Sequence, residues 1–275
     1  MNILILRVAL DLMSDQFLSK QHNNTRIIAR LDVKGAKLIK GVHLEGLREV
    51  GDPCERAVEY YESGADEIIY MDIVASLYGR SNLADIVKRT ATDVFIPLTV
   101  GGGVRTLDDV SILLDSGADK IAVNTAAVAR PKLISDIANK YGSQCVVASI
   151  EAKNVGVNRY EVYTDCGRES SGLDAAEWVK ELEQLGAGEI LLTSIDREGT
   201  GKGYDVALIE TASKCVSIPV IASGGYGLPF HMSEAMNAGA DALAFADTLH
   251  FGKNTPNDLH VIANSQEIKT RLAKQ

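Results

Sequence analysis

Aromatic residues are scarce in this 275-residue chain, at 5%, with a single tryptophan. Prolines number six and cysteines four. The cysteines (Cys54, Cys145, Cys166, Cys215) are far apart and form no CxxC pair. A disulfide framework is therefore not expected, and reduced thiols in a cytoplasmic protein are. Positive charge is in deficit: 28 basic against 37 acidic residues leave a formal net charge of −9. That balance argues against nonspecific binding to nucleic acid or an anionic membrane, and leaves room for a local basic pocket. Long apolar runs are missing too. The stretch 3–13 is interrupted by Arg7 and Asp11, with no basic segment before it and no clean cleavage site after it. It is too short for a membrane span, which takes about 20 apolar residues, and does not look like a signal peptide. Residues 1–24 read as an N-terminal extension or added helix. The histidines His43, His231 and His250 lack metal-ligand spacing.

What the sequence does contain is itself, twice. Shifted by 122 residues, Ile96-Pro97 falls on Ile218-Pro219, Gly102-Gly103 on Gly224-Gly225, and Gly117-Ala118-Asp119 on Gly239-Ala240-Asp241. The same shift carries Gly64-Ala65 and Glu67-Ile68 onto Gly186-Ala187 and Glu189-Ile190. With a slip of three, ARLDVK at 29–34 meets ASIEAK at 148–153. Such self-similarity marks two copies of one structural half.

Short apolar runs bounded by Gly or Asp predict buried parallel strands at 27–33, 67–73, 95–100, 120–123, 145–150, 189–194, 220–222 and 242–246. Amphipathic stretches at 53–63, 83–90, 107–116, 131–140, 175–185 and 230–238 predict intervening helices. Four strands per half, with helices between, fit an α/β (β/α)8 TIM barrel with a two-fold half-barrel repeat better than an open doubly wound sheet. No linker-like segment divides the chain, so residues 25–275 are expected to form one barrel domain. The polar excursion 154–172 reads as a hairpin after the fifth strand.

In a TIM barrel the active site lies at the carboxyl ends of the strands. Asp32 and Glu151 occupy those ends in strands one and five and are repeat counterparts, so they should face each other across the mouth. Two carboxylates so placed suit general acid and general base roles, although each could instead pair with Lys34 or Lys153. Lys40 follows in the first loop, where it could hold an anionic substrate or stay solvated. The run Thr99-Val100-Gly101-Gly102-Gly103 and the pair Asn124-Thr125 read as an anion cradle, because glycine lets backbone N–H groups approach closely. In the second half, Ser223-Gly224-Gly225 precedes Tyr226, and Asn124-Thr125 maps onto Ala246-Asp247. An aspartate about 4 Å from a phosphate costs on the order of 1 kcal/mol or more, so the second cradle looks spoiled.

Together, RIIARLDVKGAKLIKG, MDIVAS, LTVGGGV, KIAVNTAAV, GAGEILLTSIDREGTGKGYD and VIASGGYG resemble the cyclase subunit of imidazole glycerol phosphate synthase, from about Thr25 to about Phe251. The histidine-pathway isomerase barrel is similar in its halves but lacks the LLTSIDREGT stretch. The resemblance implies a barrel that takes ammonia through its centre from a partner glutaminase with a Cys-His-Glu triad, as a heterodimer. Ammonia would convert a phosphoribulosyl aminoimidazole carboxamide ribotide, PRFAR, into imidazole glycerol phosphate and AICAR. No metal or organic cofactor is implied. It places a catalytic role on Asp32 and, opposite, on Glu151, and substrate contacts on Lys40, Gly103, Asn124, Thr125 and Gly225. The ring where the glutaminase docks and ammonia enters falls on Arg26, Glu67, Lys120 and Glu189, and an interface salt bridge on Asp119.

There are departures from the family pattern. Glu151 and Glu198 stand where the family has aspartates, Tyr226 and Asp247 where it has small or hydroxyl side chains, and Gly35-Ala36 where it has Asp-Gly. A carboxylate displaced by ~1 Å can cost on the order of 10²-fold in rate. Two alternatives follow. One is a paralogue that supports glutamine-dependent amidation of a surface-polysaccharide sugar, which the runs 45–48 and 71–80 also resemble. The other is a non-catalytic scaffold that channels ammonia from a glutaminase.

Overall fold

A computed structural model describes residues 24–75, 83–157 and 159–271. Residues 1–23 of the 1–24 extension and 76–80 of the 71–80 run lie outside the described residues. Strand β1 (Arg26–Lys34) turns back into a hairpin of β2 (Lys37–Val42) and β3 (Glu45–Gly51), then helix α1 (Pro53–Glu62). Next come β4 (Glu67–Asp72), α2 (Leu83–Thr90), β5 (Leu98–Gly101), α3 (Leu107–Asp115), β6 (Lys120–Val123), α4 (Thr125–Ala129) and α5 (Lys132–Tyr141). The second half runs β7 (Val146–Gly156), β8 (Arg159–Thr164), β9 (Glu169–Asp174), α6 (Ala175–Gln184), β10 (Glu189–Ser194) and α7 (Val206–Ser213). It ends with β11 (Val220–Ser223), α8 (His231–Asn237), β12 (Ala242–Phe245), α9 (Asp247–His250) and α10 (Pro256–Ser265).

Strands β1, β4, β5, β6, β7, β10, β11 and β12 pair in parallel, each with the next, and β12 returns to β1 with Ala242 beside Arg26. The barrel is closed. Every residue of β4 and β10 is buried, as expected for strands covered on both faces. Alternation along β1 sorts its side chains between two clusters. Ile27, Ala29, Leu31 and Val33 join the layer under the helices, and Ile28 joins the interior cluster with Ile69, Val147, Leu191 and Ile221. Arg26, Arg30 and Asp32 share the inward phase of Ile28.

The GAD repeats have a structural use. The Oδ2 atoms of Asp66, Asp119 and Asp241 accept from the backbone N–H of Ile27, Leu98 and Val220 at 2.7, 2.8 and 2.9 Å. Each aspartate thus ties one strand to the start of its neighbour. Helices begin on side-chain caps: Asp52 accepts from the N–H groups of Cys54 and Glu55, and Thr106 with Asp109 and Thr255 with Asp258 form capping boxes. A cap of this kind contributes about 1 kcal/mol.

The expected strand at 95–100 begins only at Leu98, and Phe95 is 76% exposed. Pro97 lacks the N–H that an interior strand position needs, although its carbonyl still accepts from Ile68. Within 154–172 the expected hairpin forms as an antiparallel sheet of β7, β8 and β9. The β2–β3 hairpin and helices α4, α7, α9 and α10 are additions to the elements read from the sequence. All four cysteines are free thiols. Among the described residues, no helix is long and apolar enough to cross a membrane.

Candidate active site

Three strands lie between β1 and β7 on either side of the barrel, so Asp32 and Glu151 stand on opposite walls, each 5% exposed. Neither uses the lysine two residues on. Asp32 Oδ1 accepts from Nε of Arg30 at 2.9 Å, and Lys153 lies over the Tyr163 ring. Glu151 Oε2 accepts from Nδ2 of Asn124 at 3.2 Å, and that amide also donates to the Tyr163 carbonyl. Burial pushes the Glu151 carboxyl up to about 7, with Arg30 opposing the rise and Asp32 adding to it. A carboxyl that changes protonation near neutrality can both give and take a proton at working pH.

The folded protein holds the Glu151 proton more tightly than the unfolded chain does. The resulting stability is whole below the ordinary carboxyl value of 4.5 and is lost as pH rises through about 7. Glu151→Gln should therefore gain on the wild type, by roughly 2–3 kcal/mol, between about pH 5 and about pH 8 in urea unfolding. An equal gap at both pH values would contradict a buried, elevated Glu151.

The first-half cradle is open. A cavity of about 300 Å³ is lined by Asp72, Gly102, Gly103, Asn124, Thr125 and Glu151, among others. Gly102 has φ +102°, and a Cβ there would lie 2.2 Å from the Asp72 carbonyl oxygen. Only glycine permits that approach of β5's end to the strand beside it. Thr125 Oγ1 accepts from the Asp165 N–H, which ties the cradle to the β8–β9 turn, while the buried Oδ1 of Asn124 has no partner. In that turn Asp165 and Cys166 have φ of 50° and 58°, and Cys166 also reaches the cavity wall.

The second-half counterpart is filled. Its remaining space is about 20 Å³. Tyr226, 8% exposed, packs edge-on against Phe245 at 4.9 Å between ring centres. Asp247 pairs with Lys253 at 2.5 Å. Gly225 accepts from the Gly203 N–H, and a Cβ on it would strike the Gly203 carbonyl oxygen at 2.1 Å. Lys40, expected to meet an anionic substrate, is closed into a buried ion pair with Glu198 and also donates to the Gly41 carbonyl.

At the amino end, Arg26, Glu67, Lys120 and Glu189 form a continuous ring of alternating charge. Arg26 bonds Glu67 at 2.5 Å and also Glu189, and Lys120 bonds both glutamates at 3.1 Å. Thr99 Oγ1 donates to the other oxygen of Glu67 at 2.5 Å. Asp119 lies beside this ring, exposed, with its carboxylate on the Leu98 N–H.

Reading the sequence overlooked Arg30 and Thr193, and gave Ser223 only to the second cradle, whereas all three lie inside the barrel below the mouth. Arg30 Nη1 donates to Thr193 Oγ1 at 2.8 Å and Ser223 Oγ at 3.0 Å. The signal was available, since Arg30 lies two residues before Asp32 and so shares its inward face.

Known proteins match this architecture. The profile of the family described as "Histidine biosynthesis protein" covers residues 26–255. The imidazole glycerol phosphate synthase subunit HisF of Legionella pneumophila is 64% identical over 205 residues, 74% of this chain and 97% of that protein. The subunit of the same name from Mycobacteroides abscessus is 47% identical over 253 residues, 90% of this chain and 98% of that protein. With a closed eight-stranded barrel, paired carboxylates at its mouth and identity of this extent, the chain belongs to the HisF family of imidazole glycerol phosphate synthase subunits.

Proposed function

We propose that this chain is the cyclase subunit of imidazole glycerol phosphate synthase, a lyase of histidine biosynthesis that uses ammonia. The observation that carries the reading is the Asp32–Glu151 pair on opposite walls of the mouth, above a lumen whose far end is the four-charge ring. Ammonia attacking the ketone carbonyl of PRFAR must lose protons, and the carbonyl oxygen must gain them to leave as water. One ionised and one protonated carboxyl can serve these transfers. Ring closure then gives imidazole glycerol phosphate and releases AICAR. One phosphate of the substrate fits the open cradle at Gly103, Asn124 and Thr125. A glutaminase subunit would dock over the amino end at Arg26, Glu67, Asp119, Lys120 and Glu189, and the apolar lumen would keep ammonia from water.

A second reading is favoured by the filled second cradle, where Tyr226 and Asp247 leave no room for a second phosphate. It is the paralogue role, in which ammonia goes to amidation of a polysaccharide sugar. One experiment separates the two. The isolated chain is given PRFAR and excess ammonium salt at alkaline pH, and AICAR is measured. Turnover establishes the cyclase. Its absence, in a protein shown folded by circular dichroism, transfers the acceptor to the second reading.

A further inference from the structure

The lumen is built in tiers, because alternate residues of each strand point inward. From the amino end, β1 presents Arg26, Ile28, Arg30 and Asp32, and β10 presents Glu189, Leu191 and Thr193. On β11, Ile221 is followed by Ser223. The tiers are thus a ring of charge, an apolar collar of Ile28, Ile69, Val147, Leu191 and Ile221, a polar tier, and the mouth. Arg30 belongs to the polar tier and is buried. Its guanidinium leaves β1, skips β12, and bonds Thr193 on β10 and Ser223 on β11, while Nε holds Asp32. It spans the lumen as a strut.

We propose that Arg30 is an inner gate and filter of the barrel, whose guanidinium bars the passage between the collar and the mouth, yields to neutral ammonia and turns back ammonium. The inference rests on the reading that ammonia travels the lumen. Ammonia has a lone pair that accepts from the N–H groups now serving Thr193 and Ser223, so it can replace those hydroxyls without leaving the guanidinium unbonded. Ammonium has no lone pair and carries the same charge as the strut. The bond to Asp32 stays in place during this exchange, so the gate that releases ammonia also fixes the carboxylate that meets it. Arg30 is therefore a positioning residue.

The titratable and charged groups around it are few. Asp32 is on its own strand, Glu151 on β7, Glu198 in the loop after β10, Lys40 on β2 paired with Glu198, and Cys166 in the β8–β9 turn. Burial works against the Arg30 charge, but Asp32, Glu198 and Glu151 together raise its pKa above the usual arginine value. The strut is a permanent cation across the working pH range.

The test reads Arg30 directly in the full chain labelled with nitrogen-15, its Nε–H and Nη–H signals identified by their loss in Arg30→Lys. Ammonium chloride is titrated against potassium chloride of equal ionic strength, at about pH 9.5, where much of the amine is neutral, and at about pH 6, where almost none is. The expected result is a shift of the Nη–H signals and a hydrogen exchange of those groups faster by on the order of 10-fold at the higher pH, with the Nε–H held by Asp32 unmoved, and no change at the lower. The double variant Thr193→Val/Ser223→Ala keeps the Asp32 bond and removes both acceptors of Nη1, so its Nη–H groups should exchange fast without ammonia. No response at the higher pH, or the same response at both, would overturn the gate. PRFAR turnover with no response at Arg30 would remove the gate and leave the cyclase. A response without turnover would leave the gate and remove that substrate.

Discussion

Asp32→Asn should lower ammonia-driven turnover of PRFAR by about 10²- to 10⁴-fold, the range that a positioned general acid or base contributes. Asparagine keeps the shape and the oxygen that accepts from Arg30 Nε, so the pocket should survive. It cannot take a proton from ammonia or from the intermediate that follows. The change also withdraws the anion bonded directly to a buried guanidinium, although Glu198 and Glu151 remain close. Removing one partner of a buried ion pair costs about 3–5 kcal/mol, and the remaining glutamates place the expectation at the lower end. Urea unfolding should show that loss separately from the kinetics. A variant with the wild-type rate would show that Asp32 holds Arg30 and does no proton transfer. A variant that is folded and inactive, with substrate affinity retained, would place the carboxylate in the chemical step.

Glu67→Ala has the largest expected effect on stability. Glu67 is 1% exposed and accepts from Arg26, Lys120 and Thr99. Alanine would leave two cations sharing Glu189 and a hydroxyl without an acceptor, beside a cavity the size of the lost side chain. Breaking a buried ionic group on one side costs about 3–5 kcal/mol. Arg26 and Lys120 keep some contact with water, which places the expectation at the lower end. At ~2–4 °C per kcal/mol for a protein of this size, Tm should fall by roughly 10 °C. Glu67→Ala combined with Lys120→Met removes a cation along with the anion, and should recover part of the loss. If Glu67→Ala melts with the wild type, the ring is a loose surface feature and not the continuous charge network described above.

The fold was largely legible because its causes are local and repeated. Alternating strand and helix signals at a shared offset required two equivalent halves, and parallel strands buried on both faces leave few architectures other than a closed barrel. Seven of the site residues read from the sequence line the mouth or the amino end for the same reason, since Arg26, Glu67, Lys120 and Glu189 each open a strand, Asp32 and Glu151 lie on β1 and β7, and Gly103 follows β5. Where the reading fell short, one determinant was local and overlooked and the other was an unseen neighbour. The strand ending at Val100 was drawn too early even though Pro97, which lacks the ladder N–H, was a local signal for a later start. The hairpin carrying Lys40 was read as a loop because its short strands pair only with β1 and with each other.

The sequence alone determined the barrel, its two-fold repeat, the family, and the strand ends where a pair of carboxylates and a ring of charge would stand. It also determined that the second cradle differs, since Tyr226 and Asp247 are visible as residues. What only the tertiary structure decided is which charge meets which. Lys40 finds Glu198, 158 positions away, and Arg30 finds Asp32 beside it but also Thr193 and Ser223 across the lumen. A strand's period fixes the direction in which a side chain points, which is a property of neighbours in sequence. Its partner depends on closure of the barrel, which brings distant strands within reach of a long side chain, and on burial, which compels each charge brought inside to find an opposite one.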